Sequence, residues 1–128
     1  MLFTLTDIIT KNDIIFVSGV THTGSIKGIW KSSLIPVLMQ HYSIEIDFSF
    51  IDRNSIIINK DSTDINSEIV DDRVIFKCLC EDIDEIYYIR FSFDGLEMLD
   101  IKNDDFTIKK GDFITFSVPV SEIGIYPY

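Results

Sequence analysis

The sequence predicts an all-β protein, a single-domain antiparallel β-sandwich or partly open barrel, and three observations carry that reading. Tyr42, Ile44, Ile46, Phe48 and Phe50 fall on every second residue, with Ser43, Glu45, Asp47 and Ser49 between them. Period two sends one set of side chains to a core and the other to water, whereas a helix would scatter the five apolar residues around its circumference. Further short apolar runs recur at roughly ten-residue spacing, bounded by turns, which is the pattern of a sandwich or barrel. The apolar residues lean on Ile and Phe, types that suit a pleated surface. With 128 residues the chain forms one domain, 1–128, long enough to bury a core.

Taken in order, Phe3–Ile9 reads as an opening strand, and Lys11-Asn12-Asp13 as a turn, because Asn and Asp tolerate left-handed backbone. Ile14–Val20 is a nearly continuous apolar run, as expected of a strand covered on both faces. Thr21-His22-Thr23-Gly24 forms a hairpin loop. Ser25–Lys31 then puts Ile26, Gly28 and Trp30 on one face, with Gly28 leaving room for a neighbouring indole to cross the sheet. Ser32–His41 is interrupted by Pro36 and reads as a loop with at most one short helix near residues 33–40. The strand Tyr42–Ile51 turns back at Asp52-Arg53-Asn54 into Ser55–Lys60.

Asp61–Glu68 is polar and reads as a long mobile loop. Ile69–Val70 and Arg73–Cys80 flank an Asp71-Asp72 turn, and Glu81–Asp84 reads as an exposed turn. Glu85–Phe93 places Tyr87, Ile89, Phe91 and Phe93 on one face, and Asp94-Gly95 is a two-residue hairpin signal. Leu96–Ile101 pairs back, Lys102–Asp105 turns, Phe106–Ile108 is a short strand and Lys109–Asp112 turns again. Phe113–Val118 alternates, Pro119 marks a strand end, and Ile123–Tyr126 forms a last strand.

Net charge is −10, and it is unevenly spread: residues 1–42 sum to +1 and residues 43–128 to −11. A surface of that sign repels nucleic-acid phosphates and anionic lipid and attracts a basic protein. Neither nucleic acid nor a membrane is therefore an expected partner. No apolar run approaches the roughly 18 residues that would span a bilayer. Asp7 precedes any basic residue, so the first residues do not read as a signal peptide, and a cytoplasmic location is expected.

Side chains with chemical potential are few. Cys78 and Cys80 share one face of a strand, where a relaxed disulfide between them is geometrically unfavourable, so they read as buried thiols. His22 and His41 lie in a turn and at a strand start, without the nucleophile context a hydrolase needs. Asp61–Glu68 lacks the spacing and the glycine of a helix-loop-helix calcium site. Aromatic residues at 87–93 resemble a base-stacking platform, but acids flank them where such a platform needs cations. Glu45 and Asp47, two apart on a strand, are the one carboxylate pair that a small β-fold enzyme would use; the same pair equally suits an exposed binding face. No catalytic residue, cofactor or metal is assigned.

Gly19, Gly28-Ile-Trp30, Pro36, Tyr42-Ser-Ile-Glu-Ile-Asp47, Lys110-Gly-Asp112 and Ile123-Gly-Ile-Tyr-Pro-Tyr128 together resemble small β-rich immunity proteins of contact-dependent inhibition and related polymorphic toxin systems. The resemblance implies a stoichiometric inhibitor, not an enzyme, that binds a cognate toxin domain, commonly a nuclease, and is monomeric when free. A nuclease holds phosphates and is often basic, so an acidic inhibitor imitates the charge of its substrate. Asp71, Asp72, Glu81, Asp82, Asp84 and Glu85 are the acids expected to contribute to the toxin-binding face. The alternatives are the enzyme using Glu45 and Asp47, or a self-associating structural β-module joined through a strand edge.

Overall fold

The computed structural model describes residues 1–48, 56–91, 95–99 and 108–128, with the backbone alone for 96–99. The chain is all-β: β1 (Leu2–Lys11), β2 (Ile14–Thr21), β3 (Gly24–Trp30), β4 (His41–Phe48), β5 (Ile57–Asn59), β6 (Asn66–Val70), β7 (Arg73–Ile83), β8 (Tyr87–Arg90), β9 (Leu96–Leu99), β10 (Phe113–Pro119) and β11 (Ile123–Pro127). One 3₁₀ turn, Val120–Glu122, precedes β11. Among the described residues no helix is long and apolar enough to cross a membrane. The turn at 52–54, Asp94 of the expected hairpin, the turn at 102–105 and most of the strand expected at 106–108 lie outside the described residues.

Five strands close a barrel in the order β1-β2-β3-β11-β4, and the remaining six extend the sheet outside it. Closure depends on β11, which lies antiparallel to β4 (Ile125 opposite Ile46) and parallel to β3 (Ile125 opposite Trp30). Phe3, Leu5, Val17, Ile26, Ile44 and Ile125 fill the interior with almost no exposure. Two glycines permit this packing. The ring of Phe3 occupies the space a side chain at Gly19 would need, and at Gly28 a Cβ would stand 2.7 Å from the Ile123 carbonyl oxygen. It is therefore β11, not a neighbouring indole, that crosses at Gly28. The expectation that β2 is covered on both faces also fails: Val17 and Gly19 are buried, while Ile14 and Val20 are largely exposed.

β7 is the spine of the second region. It pairs with β10 along one edge; on the other it pairs first with β6 and then, from Leu79 onward, with β8, a pairing interrupted by a bulge between Cys80 and Asp82. The expected turn at 81–84 is instead mostly the end of this strand, since Glu81 is the extra residue at the bulge and Asp82 and Ile83 continue the ladder to Tyr88 and Tyr87. The reversal follows at residues 84–86. Phe48 ties the two regions together, with its ring edge-to-face against Phe76, Phe91 and Phe116 at centroid distances of 4.9, 5.8 and 5.9 Å. Such pairs add to what burial of the rings already contributes.

Residues 31–40 contain no helix, so Pro36 marks a loop as the sequence indicates. Asn12 and Asp13, with φ of 52° and 64°, form the two-residue left-handed turn that joins β1 to β2.

Candidate protein-binding face

On β4 the alternation read from the sequence is realised. Ile44 and Ile46 are buried, while His41, Ser43, Glu45 and Asp47 point outward and are exposed. Glu45 and Asp47 thus lie on the convex outside of the barrel. The register of β11 sets Tyr126 opposite Glu45 and Gly124 opposite Asp47. Because residue 124 has no side chain, the Tyr126 ring lies across it: a Cβ there would be 2.9 Å from Tyr126 Cε2 and 3.4 Å from Cγ of Lys31. The Tyr126 hydroxyl donates to Asp47 Oδ2 at 3.2 Å. Desolvation, and then the charge of the Asp47 carboxylate that accepts this hydrogen bond, raise the phenol above its ordinary value.

The same face continues toward the start of β4. The Tyr128 amide donates to the Ser43 carbonyl, and Leu2 stands opposite Ser43 on the other side. Tyr128 is 76% exposed and Leu2 48%. Thr4 Oγ1 and His41 Nδ1 share a hydrogen bond of 2.7 Å. Exposed tyrosines are the kind of rigid anchor that protein-recognition surfaces favour, and charged groups such as these carboxylates belong to the rim around such anchors. Two depressions, of 570 and 270 Å³, lie elsewhere, the first lined by Ile58, Lys60, Lys109 and Asp112 and the second by Thr23, Asp64 and Arg90; neither includes Glu45 or Asp47.

The six acids expected at the toxin-binding face fall into two groups. Asp71 and Asp72 form the exposed turn between β6 and β7, where Asp71 adopts φ 56°. Glu81, Asp82, Asp84 and Glu85 gather at the opposite end of β7. An eleven-residue strand separates the groups by about 30 Å. The second group is partly neutralised: Glu81 holds Arg90 with two hydrogen bonds, at 3.0 and 3.2 Å, and Lys110 lies 3.9 Å from Asp82. Asp82 also accepts the Ile83 amide at 2.9 Å.

Cys78 and Cys80 are free and fully buried in the β7 face that packs on the core. Burial, followed by the charges of Asp112 and Asp82, pushes the Cys80 thiol up to about 11, and burial alone raises Cys78 well above its usual value. Thiols held in their protonated form are poor nucleophiles and poor metal ligands. His22 is exposed in the β2–β3 turn, remote in sequence from its fellow His41. Among the described residues no three His, Cys, Asp or Glu side chains gather where they would hold a metal ion.

Sequence reasoning found Glu45 and Asp47 but not their tyrosine neighbours, because the β4–β11 register joins residues about eighty positions apart. Comparison with protein-family models, with curated proteins and with solved structures gave no match.

Proposed function

We propose that this chain is a stoichiometric inhibitor of the immunity-protein kind, which neutralises a basic toxin domain by binding it, without turnover of its own and within the cytoplasm it protects. The observation that carries this reading is the outer β4–β11 face, where Glu45 and Asp47 stand exposed beside Tyr126 and Tyr128. Its position on a convex wall favours a contact surface over a reaction cleft, because among the described residues no opposing wall brings a small substrate against both carboxylates. The acid excess of the whole chain supports the same partner. A field of this sign accelerates encounter with a basic protein and slows encounter with anionic ones.

The reading is tested with the toxin-like open reading frame adjacent to this one. Co-expression of this chain should restore growth to cells producing that toxin domain, and the two purified proteins should form a 1:1 complex in calorimetry. A toxin that kills equally in the presence of this chain, with no heat of binding, overturns it.

A further inference from the structure

The loop joining β3 to β4 exposes Leu34, Ile35, Val37, Leu38 and Met39 at 61, 84, 50, 54 and 68%, while Pro36 between them is buried. Five large apolar side chains together in water are unusual for a free protein and mark a surface that another molecule covers. Their exposure is not a consequence of a loose backbone. The Trp30 indole donates to the Leu34 carbonyl at 2.7 Å, and the Tyr42 hydroxyl accepts the Val37 amide at 3.0 Å. The loop is also bonded to Leu5 of β1, with the Met39 amide donating to the Leu5 carbonyl at 2.7 Å and the Leu5 amide donating to the Gln40 carbonyl at 3.1 Å. Trp30 and Tyr42 themselves pack edge-to-face at 5.1 Å. A turn at Met39, with φ 65°, completes the frame.

We propose that this loop is a prefolded apolar anchor that inserts into an apolar cleft of a basic protein domain, with Glu45 and Asp47 meeting cationic side chains beside that cleft. The proposal rests on the inhibitor reading and names where its affinity resides. Charge selects the occupant. A second copy of the chain, also at −10, is repelled, and so is an anionic bilayer, whereas a basic protein is attracted. Distance agrees. Glu45 is four residues along β4 from the end of the loop, about 13 Å, so anchor and acids fit within one protein–protein footprint. Because the loop is already ordered, binding loses little conformational freedom, which is the condition under which apolar contacts convert into affinity.

The test uses the purified, catalytically inactivated toxin domain encoded beside this chain, with association and dissociation followed on a surface and by the emission of Trp30, the only tryptophan. Ile35→Asp/Leu38→Asp should weaken binding about 100-fold, chiefly through faster dissociation. Ile35→Ser alone should weaken it by a smaller factor in the same direction. Glu45→Lys/Asp47→Lys should slow association and flatten its salt dependence. Ile57→Asp, on an equally exposed residue of β5, should change nothing. Circular dichroism establishes that each variant is folded, and Ile35→Ser keeps the test open if the double variant is not. Wild-type-like binding by the folded loop variants overturns the anchor and leaves the inhibitor reading standing. No binding by the native chain overturns both. If instead the native chain dimerises in light scattering, or sediments with phosphatidylcholine–phosphatidylglycerol vesicles, and the loop variants do not, the occupant is a second copy or a bilayer and the proposal fails.

Discussion

The barrel and the sheet that extends from it are both built of β-strands packed on one core, yet they present contrasting surfaces. Residues 1–48 and 120–128 carry Asp7, Asp13, Glu45, Asp47 and Glu122 against Lys11, Lys27 and Lys31, a formal charge of −2. The remaining stretch, 49–119, holds the other 16 acids against 8 bases, or −8. Exposed large apolar residues divide the other way: among the described residues only Ile57 and Val70 lie in the sheet region, and the other eleven lie in the barrel region. A single closed core thus supports one surface suited to long-range attraction and another suited to short-range contact. Charge acts over roughly a Debye length, about 8 Å at physiological salt, whereas apolar contact requires touching. On the proposed function, the sheet draws a basic partner in and the barrel holds it.

The largest effect expected concerns whether the two regions are one folding unit. Phe76→Ala empties the ring cluster that Phe48 shares with the sheet and should cost about 3–5 kcal/mol. Gly28→Val should be similarly severe, because its Cβ meets backbone of β11 that cannot move without opening the barrel. Urea melts followed by Trp30 emission and by far-ultraviolet dichroism should give one coincident transition for each variant. Two separated transitions would break the comparison into two independent units.

A smaller effect is expected from pH. The folded Cys80 thiol titrates near 11, above its ordinary value of 9.0, so the folded state keeps a proton that the unfolded chain releases. The stability this group contributes should be constant below pH 9 and be lost between pH 9 and 11, to a ceiling of about 2–3 kcal/mol. Cys80→Ala should remove that share of the alkaline slope in urea melts taken at each pH, and the raised Cys78 thiol and Tyr126 phenol contribute in the same direction. A slope unchanged by the substitution would place the alkaline sensitivity at groups other than Cys80.

The electrostatic contrast is sharpened by reversing charges region by region. Replacing Asp82, Asp84 and Glu85 with Lys should slow toxin association several-fold at low salt and leave dissociation nearly unchanged, the behaviour of distant steering charges. If dissociation accelerates instead, these acids touch the partner and the division between the regions is wrong. The smallest effect belongs to Glu81→Gln. Its pair with Arg90 is partly exposed, with side-chain accessibilities of 41 and 27%, so thermal melts should show a loss below about 1 kcal/mol.

Much of this architecture was legible because period two is a strong signal wherever one face is buried. β4, β10 and the buried row of β3 follow the pattern residue by residue. The strand end at 81–83 was not legible. Two acids in succession imitate a turn, but Glu81 is the extra residue of a bulge, after which Asp82 resumes the ladder opposite Tyr88. Barrel closure was hidden for a different reason. Nothing local to Trp30 announces a parallel partner at Ile125. The binding face suffered the same limit, since Tyr126 becomes a neighbour of Asp47 only through tertiary register. In the loop before β4, Pro36 revealed the irregular backbone. The outward direction of Leu34, Ile35 and Leu38 opposes the default that apolar residues fill cores.

The parallel contact between β3 and β11 also has a kinetic consequence. Gly124 must find Ile29 across 94 intervening positions before the barrel can close. Loop-closure entropy is lost before such a remote contact forms, so folding should belong to the slow, millisecond-to-second class. Until that moment β3 and β4 offer open edges to any passing strand, and the vulnerable species in this protein's life is the barrel that is still one strand short.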